Sequence, residues 1–180
     1  MTYEYAVYYK LLLLCGYKDD LEQYLDAALM EQDPLSDVVL ELSSAGFDDK
    51  KKLSALNEYL RQVNDSDIDY DKSVFHLVMS FLRRKYTDDD MSMKDITDLM
   101  YQMAVLTERY FDEPWNTMYL MGILYGEAEE GYIDKNDYRR KFDAFLNDNI
   151  CFCDYPPEYI PEPPKESLFK RLKNIIWGNR

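Results

Sequence analysis

The sequence predicts an all-α protein, and three observations predict it. Apolar residues recur at three-to-four spacing through most of the first 150 positions, and no stretch alternates convincingly at period two. Residues that favour helix starts stand in front of the apolar stripes, twice with proline directly after them. Six Gly and seven Pro in 180 residues are too few for a turn-rich β-sandwich. The expected architecture is a stack of antiparallel αα-hairpins, about eight helices, forming an irregular bundle or a short helical-repeat-like array.

The elements follow in chain order. Two helices fit the first 32 residues, one around Tyr5, Tyr8, Tyr9 and Leu12, the next around Leu21, Tyr24, Leu25, Ala28 and Leu29. Asp33-Pro34 reads as an N-cap followed by proline at the first helical position, with Leu35, Val38, Val39 and Leu42 as the stripe and Ala45-Gly46 as the stop. Asp48 opens a fourth helix with Leu53, Leu56, Leu60 and Val63 inward, and Asp71 a fifth through Val74, Leu77, Val78, Phe81 and Leu82. Ser92, with Asp95 three residues on, resembles a capping box before Ile96, Leu99, Met100, Met103 and Leu106. Glu113-Pro114 repeats the cap-then-proline pattern ahead of Trp115, Met118, Tyr119 and Met121, a helix running toward Gly131. The eighth begins near Asp134 and carries Tyr138, Phe142, Phe145 and Leu146.

One local pattern recurs: Gly16-Tyr17 before Asp19, Gly46-Phe47 before Asp48, and Gly131-Tyr132 before Asp134. Glycine takes the left-handed position after a helix, the aromatic is expected to pack back on it, and the Asp to cap the next helix. Each copy should therefore build a tight αα-hairpin.

The organisation expected is an acidic helical domain over 1–155, a proline-rich linker over 156–164 and a basic amphipathic helix over 165–180. Pro156, Pro157, Pro161, Pro163 and Pro164 cannot continue a helix. Beyond them Leu168, Phe169, Leu172, Ile175 and Ile176 share one helical stripe, with Lys170, Arg171 and Lys173 turned elsewhere and Trp177 near the end. Three fates are open to this tail: docking on its own body, weak contact with an anionic membrane surface, or insertion into a partner's groove.

Charge narrows the function classes. Lys and Arg number 21 against 35 Asp and Glu, a net charge of −14 that disfavours nucleic acid, whose binding relies on cations that neutralise phosphates. The tail is basic and the body strongly acidic, a balance that attracts a cationic partner or the tail itself. The densest acidic runs, Asp88, Asp89, Asp90 and Glu127, Glu129, Glu130, are the expected partner-binding residues. The apolar run Leu11 to Cys15 is too short to span a membrane, and three cysteines without framework spacing fit free thiols in a reducing cytoplasm.

The chemistry-bearing residues form no catalytic, cofactor or metal signature, so the expectation is a non-enzyme without cofactor. His76 is the sole histidine, which rules out zinc motifs that need two; between Phe75 and Leu77 it is expected to be a buried or half-buried structural residue. The alternative is a nucleophilic pair with Cys15, Cys151 or Cys153. Cys151 and Cys153 stand one residue apart, the wrong spacing for a redox or zinc C-x-x-C motif. Asp65, Asp67, Asp69 and Asp71 imitate the first half of a calcium loop, but Tyr70 replaces its glycine and His76 its closing Glu. Gly122 and Gly126, four apart on an apolar helix, read as close helix packing. The 17 tyrosines are core and rim material, or a recognition surface offering rigid area at small entropic cost.

The segment Asp33-Pro34-Leu35-Ser36-Asp37-Val38-Val39-Leu40-Glu41-Leu42, the hairpin after Gly46, and the acid-rich Tyr125-Gly126-Glu127-Ala128-Glu129-Glu130-Gly131-Tyr132 together resemble the small acidic helical proteins that bacteria encode as immunity partners of toxins. The resemblance implies a non-catalytic protein-binding module, an immunity or inhibitor protein that acts as a monomer or weak dimer on a cationic protein. An adaptor tethered through its basic tail to a membrane surface or a partner groove is the alternative.

Overall fold

The computed structural model describes residues 1–62 and 69–154, and among them every regular element is helical. Eight α-helices follow one another: α1 (Tyr3–Leu14), α2 (Asp19–Glu31), α3 (Asp37–Ser44), α4 (Asp49–Gln62), α5 (Phe75–Thr87), α6 (Met93–Leu106), α7 (Trp115–Glu129) and α8 (Lys135–Asp148). A π-helical turn, Tyr70–Val74, leads into α5, and a 3-10 turn, Phe152–Asp154, follows α8. Helix α1 packs against α4, the π-turn and α5, while α2 packs on α3 and α3 on α4. Helix α5 meets α6 and α8, α8 folds back on α7, and α6 with α7 makes the most extensive pair. That pair is close because of Gly122, where an added Cβ would stand 2.7 Å from the Tyr101 Cβ and 3.0 Å from the Thr97 carbonyl. Gly126 has nothing within 4 Å, so close packing holds for the first of the two glycines only.

Three of the sequence-predicted caps are made. The Asp48 carboxylate accepts from the amides of Lys50 and Lys51, Ser92 Oγ from that of Asp95, and Asp134 from those of Asn136 and Asp137. Four others differ. Helix α3 starts at Asp37 with Ser36 at its N-cap, three residues beyond the expected cap at Asp33. Pro114, after a second cis bond, is itself the N-cap of α7, and Glu113 reaches past it to accept from the Thr117 amide and hydroxyl at 3.1 and 2.7 Å. Asp19 is already inside α2, where it adds negative charge to the first turn without a side-chain cap bond. Asp69, not Asp71, caps the helical run that begins at the π-turn, accepting from the Lys72 amide at 3.0 Å.

All three hairpin glycines are left-handed, with φ of +84°, +55° and +82° at Gly16, Gly46 and Gly131. At Gly16 and Gly131 the chain closes the paired bonds of a Schellman end: the Tyr17 amide on the Leu12 carbonyl, and the Tyr132 amide on that of Glu127, each at 2.9 Å. None of the three aromatics is seen to pack as expected on the helix it follows: Tyr17 stands edge-on to Phe81 of α5 at 5.2 Å, and Phe47 and Tyr132 are 92% and 77% exposed. Leu29, Leu106 and Tyr5, expected to point inward, are exposed at the edges of their stripes. Val63 lies outside the described residues.

The core closes around Trp115, which is fully buried. Its ring meets Phe75 edge-on at 5.4 Å, and Phe75 in turn meets Phe145 at 6.1 Å, so α5, α7 and α8 share one aromatic centre. The indole N–H donates to Asp71 at 3.1 Å, and Arg109 completes the node by pairing with Asp71 at 3.4 Å and lying 4.4 Å over the Tyr70 ring. A second buried polar contact was not legible in the sequence: Lys52 is 1% exposed and forms an ion pair with Glu22 across α4 and α2. Replacing Asp71 with Ala should cost about 1–3 kcal/mol by leaving the indole N–H unpaired. In a Trp115→Phe background the same substitution should cost markedly less; urea unfolding of the four proteins of this cycle measures the difference.

Candidate functional site

The antiparallel register of α6 and α7 brings the two acidic runs to one end of the molecule. Thr97 and Tyr101 of α6 stand opposite Gly122, and the Lys94 ammonium is held in its charged form chiefly by Asp98, with Tyr125 of α7 also contributing. Residues before Lys94 therefore lie beside residues after Tyr125. Asp88, Asp89 and Asp90 form the turn from α5 to α6, and Glu127, Glu129 and Glu130 end α7. All six are exposed. Segments 88–98 and 127–137 hold ten acidic residues against Lys94 and Lys135, a local balance of −8 within a chain of −14.

The local partners of these acids are few. Lys85 pairs with Asp89 at 2.6 Å, Lys94 with Asp98 at 2.6 Å and Lys135 with Glu129 at 2.9 Å. Lys141 and Arg140 bond Asp137 and hold its carboxyl below the ordinary value. Asp90, Glu127 and Glu130 form no ion pair with a described residue. Asp88 occupies the C-cap of α5 and Glu130 that of α7, where each helix already presents its negative carbonyl end. Acids at such positions oppose the helix dipole, so their placement does not serve helix stability.

A second feature is a tyrosine-lined cleft of about 670 Å³ between α1, α2 and α5. Tyr5, Tyr8, Tyr9, Tyr24 and Phe81 supply its rings, and Asp20 with Arg84 its charged groups. Tyr8 donates to Asp20 at 2.6 Å, and Arg84 Nη2 reaches both carboxylate oxygens at 2.7 and 2.8 Å. Burial pushes the Tyr8 and Tyr9 hydroxyls far above the tyrosine range, and the Asp20 bond raises Tyr8 further. With its oxygens engaged by Tyr8 and Arg84, Asp20 is structurally committed and poorly placed to act as a base. The Tyr24 hydroxyl is buried with no hydrogen-bond partner among the described residues. Sequence reasoning assigned these tyrosines to the core stripes of α1 and α2 and gave no sign of Asp20 or Arg84. The pairing spans 64 residues and leaves no local pattern.

The remaining candidates separate. His76 is exposed, which corrects the expectation of a buried histidine: Phe75, Val78 and Met79 take the inward face of α5, and His76 with Ser80 falls on the opposite side. Cys151 is buried, Cys15 half-buried and Cys153 exposed. Burial pushes the Cys15 and Cys151 thiols up to about 11, which disfavours their thiolate forms at neutral pH. Of the calcium-like run, Asp69 is spent as a cap and Asp71 on Trp115 and Arg109, while Asp65 and Asp67 lie outside the described residues. No group of three or more metal-ligating side chains occurs among the described residues. No described helix is long and apolar enough to cross a membrane. The tail residues Leu168, Phe169, Lys170, Arg171, Leu172, Lys173, Ile175, Ile176 and Trp177 also lie outside the described residues. No family model matches the chain, and comparison with curated proteins and with solved structures yields no match.

The acidic end should behave as a stability defect. Replacing Asp88 with Asn and Glu127 and Glu130 with Gln removes charge from two helix C-termini and should raise stability by about 0.3–1 kcal/mol per site at low salt, with the gain shrinking at high salt. Urea midpoints at two ionic strengths read this, and a loss of stability would contradict the electrostatic reading. The thiols give a separate test. In the native protein at pH 7 an aromatic disulfide reagent should titrate Cys153 promptly, with Cys15 and Cys151 following only as the chain unfolds.

Proposed function

We propose that the chain is a non-catalytic protein-binding module whose acidic end captures a cationic protein, in the manner of immunity and inhibitor proteins. One observation carries this reading: two acidic runs far apart in sequence share one end of the bundle, at helix termini where they oppose the dipoles. Lys85 and Lys135 engage Asp89 and Glu129, and the charge of Asp90, Glu127 and Glu130 that no described cation pairs is left to act on something outside the molecule. Clustered exposed charge of one sign also raises association rates by steering the partner before contact. The resemblance of the α3–α4 hairpin segment and of 125–132 to toxin-immunity proteins points to the same class. The exposed aromatics Phe47 and Tyr132 sit on hairpin turns, and Tyr132 directly follows the acidic run, where it could anchor a contact that the carboxylates recruit.

The test couples capture to kinetics. The intact chain and the Asp88→Asn, Glu127→Gln, Glu130→Gln variant are immobilised in parallel and challenged with native extract. A protein with a basic surface should be retained by the first and depleted on the second. Its association rate on the unmodified chain should fall about tenfold or more between low and high salt, with a much smaller change in dissociation. Equal capture by both chains, or an association rate indifferent to salt, would remove the acidic end as the recruiting surface.

A further inference from the structure

We infer that the chain's own segment 165–180 docks on an aromatic face presented by α6 and α7. The inference stands apart from the acidic-end reading, since it concerns the flank of this helix pair and not its end.

The face is continuous. Tyr101 of α6 stacks on Tyr119 of α7 with centroids 5.0 Å apart, Tyr119 lies 5.4 Å from Tyr110, and Tyr110 lies 4.4 Å from Phe111 in the connecting turn. Val105 stands one helical turn beyond Tyr101, and Ile123 one turn beyond Tyr119. Tyr101, Val105 and Ile123 are 39%, 39% and 38% exposed, and Phe111 is 79% exposed. An apolar strip along two helices, left open by every described element, is costly to leave in water.

Three observations identify the occupant. The first is where the described chain ends: the Phe152 amide donates to Thr117 Oγ1 at 2.9 Å, in the first turn of α7 and two residues before Tyr119. Ten residues, 155–164, separate Asp154, the last described residue, from Lys165. At about 3.1 Å per residue they reach about 30 Å, whereas Thr117 to Ile123 measures about 9 Å along the helix. The second is pattern. Leu168, Leu172, Ile175 and Ile176 would share one apolar stripe about 12 Å long in a helix, which matches the strip in character. The third is charge. Lys165, Lys170, Arg171, Lys173 and Arg180 accompany that stripe against the one acid Glu166, and the turn at the foot of the strip carries Glu108 and Asp112, with Glu113 engaged by Thr117. Arg109, the base in that turn, is engaged by Asp71. A second copy would instead bring a chain of −14 against one of −14. The tether gives the segment an effective concentration on the order of millimolar, an advantage no separate partner has.

Trp177 reports the docking directly in the full chain. The only other tryptophan is the buried Trp115, so subtracting the spectrum of a Trp177→Phe variant isolates the Trp177 emission. Docking predicts emission blue-shifted from that of a water-exposed indole, at all protein concentrations and without lipid. The shift should be lost in Val105→Asp, Ile123→Asp and equally in Leu172→Asp, Ile176→Asp, with the far-ultraviolet circular dichroism of both variants retained. Each pair should lower the thermal midpoint, and the four substitutions together should lower it no further than one pair. Water-like emission in the unmodified chain overturns the inference. So does a blue shift that survives Val105→Asp, Ile123→Asp, one that appears only as concentration rises, or one that needs anionic vesicles.

Discussion

One hydrogen bond, from the buried indole of Trp115 to the carboxylate of Asp71, sets the relation on which the second half of the molecule depends. A buried N–H without a partner costs about 1–3 kcal/mol, so Trp115 can fill the centre only where an acceptor is brought to it. The π-helical turn brings that acceptor, placing Asp71 toward Trp115 and leaving the capping to Asp69. With Trp115 fixed against Phe75, the start of α7 is fixed against the start of α5, and α8 follows through Phe145. The place of α7 then bears on that of α6, because Tyr101 and the Thr97 carbonyl approach Gly122 more closely than any Cβ there would allow.

This hierarchy explains what the sequence could disclose. The eight helices were legible because burial of an apolar face leaves a 3.6-residue period that needs no knowledge of the partner. Caps were legible where one side chain meets the next few amides, as at Asp48, Ser92 and Asp134, and were misread where proline was taken as the first helical residue. Residues whose role is set from far away left no local trace. Lys52 resembles any other member of the run Lys50-Lys51-Lys52 until Glu22, 30 residues earlier, is placed beside it. His76 sits in an apolar stretch and reads as buried, yet a helix must give some of its positions to water. The acidic runs were visible as composition. Their convergence was not, because it depends on the register of α6 and α7.

The same separation applies to charge. Lys85, Lys94 and Lys135 each pair an acid at or beside a helix end, which is what local stability asks for. These cations leave Asp90, Glu127 and Glu130 without a described ion pair, so the potential at this end is reduced without being cancelled. Potential that survives local pairing extends outward by about a Debye length, 8–10 Å at moderate salt, which is the range over which an approaching protein is oriented.

The tyrosines divide on a related principle. A tyrosine kept for structure has its hydroxyl tied to another element: Tyr8 to Asp20, Tyr59 to the Met1 carbonyl, Tyr138 to the Met121 carbonyl. Each of these joins two segments, and burial holds all three hydroxyls in their neutral, donating form. Tyr101 of α6, Tyr110 of the connecting turn and Tyr119 of α7 face one another in a row, with Tyr110 and Tyr119 partly buried against the core. A ring contributes to stability by the area it hides, and these rings hide theirs only in part. The area these rings leave open is what the proposed docking of segment 165–180 would cover.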